Sequence, residues 1–373
     1  MQNIVLVFLT SLLVVIFGIP SIITVAKFKG LYDKPEARKL HTHKIPRLGG
    51  LAIIAGFSIA ASLWGIPDGM PRLQYLQAAL IILFFSGLKD DVIILSPAKK
   101  LMSQVVAALI TIVGEDIRIS SLYGLFGIDI IPIWASYALT FFTIIVVTNA
   151  FNLIDGVDGL AGGLGFIIAT TLGLWFNFID QTGWAILSLG LAGALLGFLV
   201  FNFNPAKIFM GDAGSLTTGF LLAVFTIKFI EFNSPTAQNL YKIASAPAIA
   251  VAILIVPLFD TLRVFILRVM KKKSPFEADK NHLHHFLLRM GLGHKEVALV
   301  MYIVNIAFVL VAFMMKNNST AMLLLIIGTL AVILAQIPVY VLNHKIAEIE
   351  AENNEIIAKE LGEQVQINSD LKN

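Results

Sequence analysis

The chain has no cysteine, and only 14% of its 373 residues are charged. Without cysteine there is no disulfide, no thiolate metal ligand and no thiol nucleophile. A charged fraction so far below the roughly 25% of soluble domains excludes an ordinary water-soluble globule. No charged side chain occurs from Met1 to Ala26, a run that satisfies the ~20 residues one helical span needs. A cleavable signal peptide needs basic residues before its apolar run, whereas Lys27 and Lys29 follow it here. The net charge of +3 is too small to point to nucleic acid. What is present is apolar: 57% of the residues are hydrophobic and the mean hydropathy is +0.85. Period-two alternation, the mark of a membrane barrel, is missing, so helices must satisfy the backbone in hydrocarbon.

Apolar runs bounded by charges predict an all-α, polytopic integral membrane protein with about eleven transmembrane helices. They are expected near residues 3–25, 48–66, 73–88, 99–114, 133–150, 159–179, 184–203, 214–230, 245–267, 297–315 and 319–342. Lys and Arg crowd the loops after the first, third and ninth runs, while the alternate loops carry single cations such as Arg72, Arg118, Lys242 and Lys316. Positive loops stay on the cytoplasmic side, so the N-terminus is expected outside and the protein in the inner, cytoplasmic membrane. Residues 1–343 form the membrane domain, and 344–373 a cytoplasmic polar tail, helical or disordered. In that tail Ile346, Ile349, Ile356, Ile357 and Leu361 make a partial stripe. Asn353 interrupts it, which favours a solvated helix over a coiled coil; a homodimer is left open.

With this topology Asp90, Asp91, Asp155, Asp158, Asp212 and Asp260 all fall at the cytoplasmic ends of hydrophobic runs, together with the histidines. A carboxylate near the bilayer core costs roughly 2.5–3.5 kcal/mol even on lenient scales, so a one-sided cluster reads as a reaction or binding centre. Asp90 and Asp91 mark either a membrane boundary or a site for phosphate chemistry with Mg²⁺, which prefers oxygen ligands. Asn149, Asn152, Asp155 and Asp158 recur every three residues, so neighbours share a helix face. They suit either helix–helix hydrogen bonding or a polar site that loosens at Gly156. Asp212 and Ser215 precede an apolar helix; Ser215 is a candidate N-cap, and the N–H groups there suit a phosphate. His282, His284 and His285 lack a convincing fourth zinc ligand and suit polyphosphate contacts, with Arg38, Lys44, Arg47 and Arg263 adding charge-assisted bonds. Pro247 and Pro257 are expected to kink the ninth span and open a lipid groove beside Asp260 and Arg263.

The segments "RKLHTHKIPRLGG", "KDD", "NAFNLIDGVDGLAGG", "FNFNPAKIFMGDAGS", "PLFDTLR" and "ADKNHLHH" run in one order from about residue 31 to residue 295. In them the chain resembles the polyprenyl-phosphate N-acetylhexosamine-1-phosphate transferases. "HLHH" and "IPRLGG" resemble the branch that takes UDP-N-acetylglucosamine and undecaprenyl phosphate, rather than the phospho-N-acetylmuramoyl-pentapeptide transferases. The resemblance implies attack of a polyprenyl phosphate on a UDP-sugar, with UMP leaving and a Mg²⁺ cofactor, Mn²⁺ being the alternative. It implies Asp212 as principal metal ligand, assisted by Asn152 or Asp155, and Asp90 and Asp91 as the pair that orients or deprotonates the lipid phosphate. By similarity Asp158, Asn202 and Phe209 hold the uridine with Lys44 nearby, and His282, His284, His285 and Arg263 contact the diphosphate. The rival class is an ion-coupled secondary transporter, which places its acids near the bilayer midplane between repeated halves; no repeat is visible here.

Overall fold

A segment that lies in hydrocarbon must bond its own N–H and C=O groups, and the apolar runs accordingly fold as helices. The computed structural model describes residues 2–31, 45–65, 73–93, 95–237, 240–272 and 282–370, with side chains as far as His344 and at Glu348. In order the helices are α1 Gln2–Lys29, α2 Gly49–Trp64, α3 Leu73–Val92, α4 Pro97–Glu115, α5 Ile133–Leu153, α6 Leu160–Phe178 and α7 Thr182–Asn202. They continue with α8 Gly211–Phe232, α9 Ala246–Ile253, α10 Ile255–Met270, α11 Leu283–Arg289, α12 His294–Met314 and α13 Thr320–Asp370. The protein is therefore a helical, multi-pass membrane protein. Each expected run is helical and begins within a few residues of its expected start, but the ninth is broken into α9 and α10 and the last extends far beyond residue 342. Among the described residues, 8 helices are long and apolar enough to cross a membrane, or 9 with the bent α9–α10 pair. Two expected spans fall short for physical reasons: α2 has only 16 residues, and α3 ends on Lys89, Asp90 and Asp91.

The sequence gives no warning of one element, a two-stranded antiparallel hairpin of β1 Ser121–Leu125 and β2 Ile128–Ile130. Phe126 and Gly127 form its turn with φ of 57° and 74°, the handedness that matches strand twist. The hairpin is tied to the far end of α8: Glu231 accepts from the Ser120 N–H at 3.1 Å and its hydroxyl at 2.7 Å.

Helix α8 is the central shaft. It is apolar on every side, from Leu216 through Phe220 and Phe225 to Phe229, and almost wholly buried, as a helix without a polar face must be. It packs against α2, α3, α5, α6, α7 and α9, while α1 closes over α2 and α7. Trp175 meets Phe229 edge to face at 4.6 Å, which fixes the end of the shaft distant from Asp212.

The expected kink in the ninth span is present but sits at Leu254, where α9 and α10 bend by 82°. Pro247 lies in the first turn of α9 and bends nothing. Pro257 lacks the N–H that would bond the Ile253 carbonyl; Asn305 of α12, fully buried, donates its side-chain amide to that carbonyl instead, at 3.2 Å. The last helix runs on past residue 343 without a break to Asp370.

The break depends on this substitute donor. Asn305→Leu leaves the Ile253 carbonyl unpaired in an apolar setting, at a cost of roughly 1–3 kcal/mol. It should lower the melting temperature of the detergent-purified protein by several degrees, whereas an unchanged melt would mean that water or lipid already serves that carbonyl.

Candidate active site

The site is built where α3 meets the start of α8. Gly211 opens α8 with φ +70° and lies against the Arg47 carbonyl and the Asp91 carboxylate, where a side chain has no room. Gly87 brings α3 in closely enough that a Cβ there would meet Ala213 Cα at 2.5 Å. Asp91 then accepts from the N–H groups of Asp212 (2.7 Å) and Ala213 (3.0 Å). It is an N-cap supplied by another helix, and it complements the positive end of the α8 dipole. Segment 45–50 completes the junction: Phe209 N–H bonds Pro46 O at 2.8 Å, and Gly49 and Gly50 donate to Phe209 and Met210 carbonyls at 2.9 and 2.8 Å.

Two expectations are corrected here. Ser215 is not the N-cap of α8, a position held by Met210; its hydroxyl accepts from Asn152 at 2.6 Å. The first N–H groups of α8 are not open to a phosphate, because Asp91 has taken those of Asp212 and Ala213. The physical reason is the same in both cases. A carboxylate distant in sequence outcompetes a local hydroxyl for strongly polarised donors.

Beside the cap lies a charged network. The Lys100 ammonium pairs with Asp90 Oδ2 at 3.3 Å and with Asp212 Oδ2. Asp212 Oδ1 accepts from the Asn152 amide at 2.8 Å, and Asp90 Oδ1 accepts from the Leu95 N–H at 2.6 Å. Lys100 reaches both acids because the chain turns at Ser96–Pro97 and starts α4 there, with Pro at its first position. Reading this lysine as a loop cation missed its role. Asn149, one turn earlier than Asn152, belongs elsewhere: it exchanges amide hydrogen bonds with Gln104 of α4 at 3.1 and 2.6 Å. One residue of the polar ladder joins helices and the next enters the site.

The turn 154–159 joins α5 to α6. Asp155 is half-buried and its carboxylate takes no hydrogen bond among the described residues. Burial, and then the Asp212 and Asp91 carboxylates, push its pKa up to about 7 against the pull of Arg47. Asp158 is buried, which alone would raise its pKa; hydrogen bonds from His294, Ala206 N–H and Asn204 outweigh this and hold it below the usual range. Asn204 and Ala206 donate to Asp158 Oδ2 at 3.0 and 3.1 Å, and His294 Nδ1 stands 3.3 Å from Oδ1. Asn202, also buried, accepts from Gly159 N–H at 3.0 Å and donates to Ile208 O at 2.8 Å. Asp158 and Asn202 thus brace two loops, and half-buried Phe209 lies at the edge of the braced segment. His294 is a brace that the sequence reading did not single out.

The histidines arrive from the other side. Asp260 accepts the Leu283 N–H at 2.8 Å and faces His282 Nδ1 at 2.9 Å, both side chains being buried. His282 and His284 stack at 5.6 Å, and His284 meets His285 at 4.3 Å. His284 lies against Gly156, which connects this cluster to the acid turn. Burial, and then His285, lower its pKa to about 3, so it is a neutral ring, with a buried Nδ1 that has no partner among the described residues. The Arg263 guanidinium sits 5.0 Å over Phe286 of α11. Arg38 and Lys44 lie outside the described residues.

All six acids therefore gather at one end of the bundle, from α3, α8, α10 and the 154–159 turn. Among the described residues no three His, Asp or Glu side chains stand close enough to cage a metal by themselves. Mg²⁺ seldom asks for a cage, since it takes one or two carboxylates and completes its shell with substrate phosphates and water. The Lys100 ammonium already bridges two of the carboxylates where positive charge is wanted, so the Asp212 carboxylate fits a divalent cation; Asn152 would join it once its amide turned its oxygen, rather than the NH₂ now on Asp212, toward the ion.

Asp90 and Asp91 separate on this geometry. Asp91→Ala removes two charge-assisted bonds worth roughly 1.5–3 kcal/mol each, and should lower both melting temperature and activity. Asp90→Asn should keep the melt and lose the activity. Equal melting losses in the two variants would contradict the separation.

Residues 73–230 match glycosyl transferase family 4. The probable undecaprenyl-phosphate N-acetylglucosaminyl 1-phosphate transferase of Bacillus subtilis is 34% identical over 89% of this chain and 90% of its own. The decaprenyl-phosphate N-acetylglucosaminephosphotransferase of Mycobacterium tuberculosis H37Rv is 32% identical, over 81% of this chain and 80% of its own. The undecaprenyl-phosphate alpha-N-acetylglucosaminyl 1-phosphate transferase of Escherichia coli K12 is 33% identical over 73% of each. The matched stretch carries the Asp91 cap, the Lys100 bridge and the 154–159 turn, and the chain belongs to glycosyl transferase family 4.

Proposed function

We propose that this enzyme transfers N-acetylglucosamine 1-phosphate from UDP-N-acetylglucosamine to a polyprenyl phosphate. A lipid phosphate oxygen bonds to the β-phosphorus, the bond from that phosphorus to the bridging oxygen breaks, and UMP leaves. The product is a lipid-linked diphosphate sugar in the inner leaflet. The carrying observation is the network of Asp90, Lys100, Asp212 and Asn152 at one end of a membrane bundle, with the histidine cluster beside it. The relatives named above support the substrate class.

Phosphoryl transfer depends mainly on positioning and on neutralising charge over phosphoryl oxygens. Asp212 and Asn152 would hold Mg²⁺, or Mn²⁺ in its place, which would supply that neutralisation. Asp90, anchored by Leu95 N–H, orients the incoming phosphate; a phosphate monoester with a second pKa near about 6 needs no strong base at neutral pH. Lys100 keeps Asp90 and Asp212 from repelling one another before substrate arrives. Asp158 and Asn202 hold the two loops that flank the nucleotide, with Phe209 offering a ring to uracil. His282, His284, His285 and Arg263 line the diphosphate side. The concentration of Lys and Arg in the loops on this side supports a cytoplasmic site and an external N-terminus. A transporter reading is not favoured, since the acids crowd one surface.

The test is a membrane assay with radiolabelled UDP-N-acetylglucosamine, polyprenyl phosphate and Mg²⁺. Organic-extractable label should form, be discharged by added UMP, and disappear with EDTA or in Asp212→Asn folded to the wild-type level. Absence of label in wild type, or full turnover in Asp212→Asn, would remove the reading. Replacing Lys100 by Met should slow the reaction by roughly 10–100-fold, the scale of a lost supporting contact at such sites. Wild-type rates in that variant would make Lys100 a passive counter-ion.

A further inference from the structure

The bend at Leu254 turns α10 so that Asp260 points at the start of α11. This carboxylate is buried to 1% exposure, and its two oxygens do two different things. Oδ1 accepts the Leu283 N–H at 2.8 Å, capping α11 at its first residue. Oδ2 lies 2.9 Å from Nδ1 of His282, itself only 4% exposed. An ionised carboxylate offers acceptors and no donor. The partner of one ring nitrogen decides where the proton of a neutral imidazole resides. His282 is therefore held with its proton on Nδ1, and Nε2 is the nitrogen left for a ligand.

The neighbours make this arrangement rigid. His284 stacks on His282 with 6° between the rings. Phe286, one turn along α11, lies under Arg263 at 5.0 Å and Arg289 at 5.7 Å. Helix α10 thus grips α11 twice, with Asp260 at its first residue and Arg263 at its middle. A seven-residue helix is too short to hold its own orientation in isolation, so the direction of the histidines is set from α10.

We propose that Asp260 is a positioning residue for the transfer. One carboxylate both starts α11 and keeps the His282 proton on Nδ1, so that Nε2 faces the diphosphate. Asp260 itself touches no substrate. The clause about the diphosphate rests on the function proposed above; the tautomer does not.

The substitution that separates the two roles is Asp260→Asn. Its side-chain oxygen still accepts from Leu283 N–H, but its NH₂ group faces His282 Nδ1 and forces the proton onto Nε2. Asp260→Ala loses both contacts. Histidine-labelled protein in lipid, studied by ¹⁵N solid-state NMR at pH 8 with His282→Gln to assign the signal, reads the tautomer without substrate. The expected wild-type spectrum has a protonated Nδ1, and Asp260→Asn moves the proton to Nε2. The same variant should melt as wild type does and keep its KM for UDP-N-acetylglucosamine. Its kcat should fall by about 10–100-fold, as for other lost supporting partners of a functional histidine. A wild-type His282 protonated on Nε2 alone overturns the proposal, and so does an undiminished kcat in a correctly switched Asp260→Asn. If Asp260→Asn unfolds as Asp260→Ala does, the wild-type spectrum decides alone. If wild-type protein transfers nothing from UDP-N-acetylglucosamine, the functional reading fails, and the spectrum still judges the tautomer.

Discussion

The seating of Asp91 on the first N–H groups of α8 is the contact from which the remaining geometry follows. The positive end of a long buried helix needs an anion or water, and in this bundle a carboxylate from α3 supplies it. The contact is possible because Gly87 and Gly211 leave no side chain between the helices. Once α3 is fixed there, Asp90 has a single direction, Lys100 reaches two carboxylates, and Asn152 of α5 meets Asp212. A site made from four helices and a turn thus inherits its precision from a backbone contact.

A second device places the histidines. The chain cannot continue a straight helix past Pro257 without an unpaired carbonyl, and Asn305 of α12 serves that carbonyl. The bend is in this way tolerated deep in the bundle, and α10 can direct Asp260 and Arg263 toward α11. The buried shaft of α8 stands between these two devices and carries the hairpin at its distant end through Glu231. At Ile253 and Gly159 irregular backbone is satisfied by side chains of neighbouring helices, as hydrocarbon requires.

The apolar runs announced the helices well because burial in lipid leaves the chain no other solution. Likewise the cost of a carboxylate near hydrocarbon marked Asp90, Asp91, Asp155, Asp158, Asp212 and Asp260 as a group. What pattern and spacing did not reveal was which partner each acid takes. Asp91 binds backbone donors 121 residues away, and no local signal encodes that choice over Ser215. In the sequence Lys100 adjoins Lys99 in a stretch rich in positive charge, so orientation explained it fully and concealed its ion pairs. Asn149 and Asn152 share a motif and a face, yet Gln104 claims the first and Asp212 the second. The hairpin escaped because its turn is Phe126–Gly127 rather than a sequence with Asn or Asp before glycine. Helix α11 escaped because seven residues hold too little periodicity to register.

Whether the carboxylates of α3, α8 and the 154–159 turn act as one centre can be measured without turnover. Mn²⁺ titrated into detergent-purified protein, followed by the electron paramagnetic resonance of the free ion, counts the sites per chain. Binding of about one Mn²⁺ per chain, lost in Asp212→Asn and strengthened when Lys100→Met vacates its bridge, is the predicted result. Stoichiometric binding that neither substitution alters would place the cation elsewhere and contradict the convergence of these acids on a single centre.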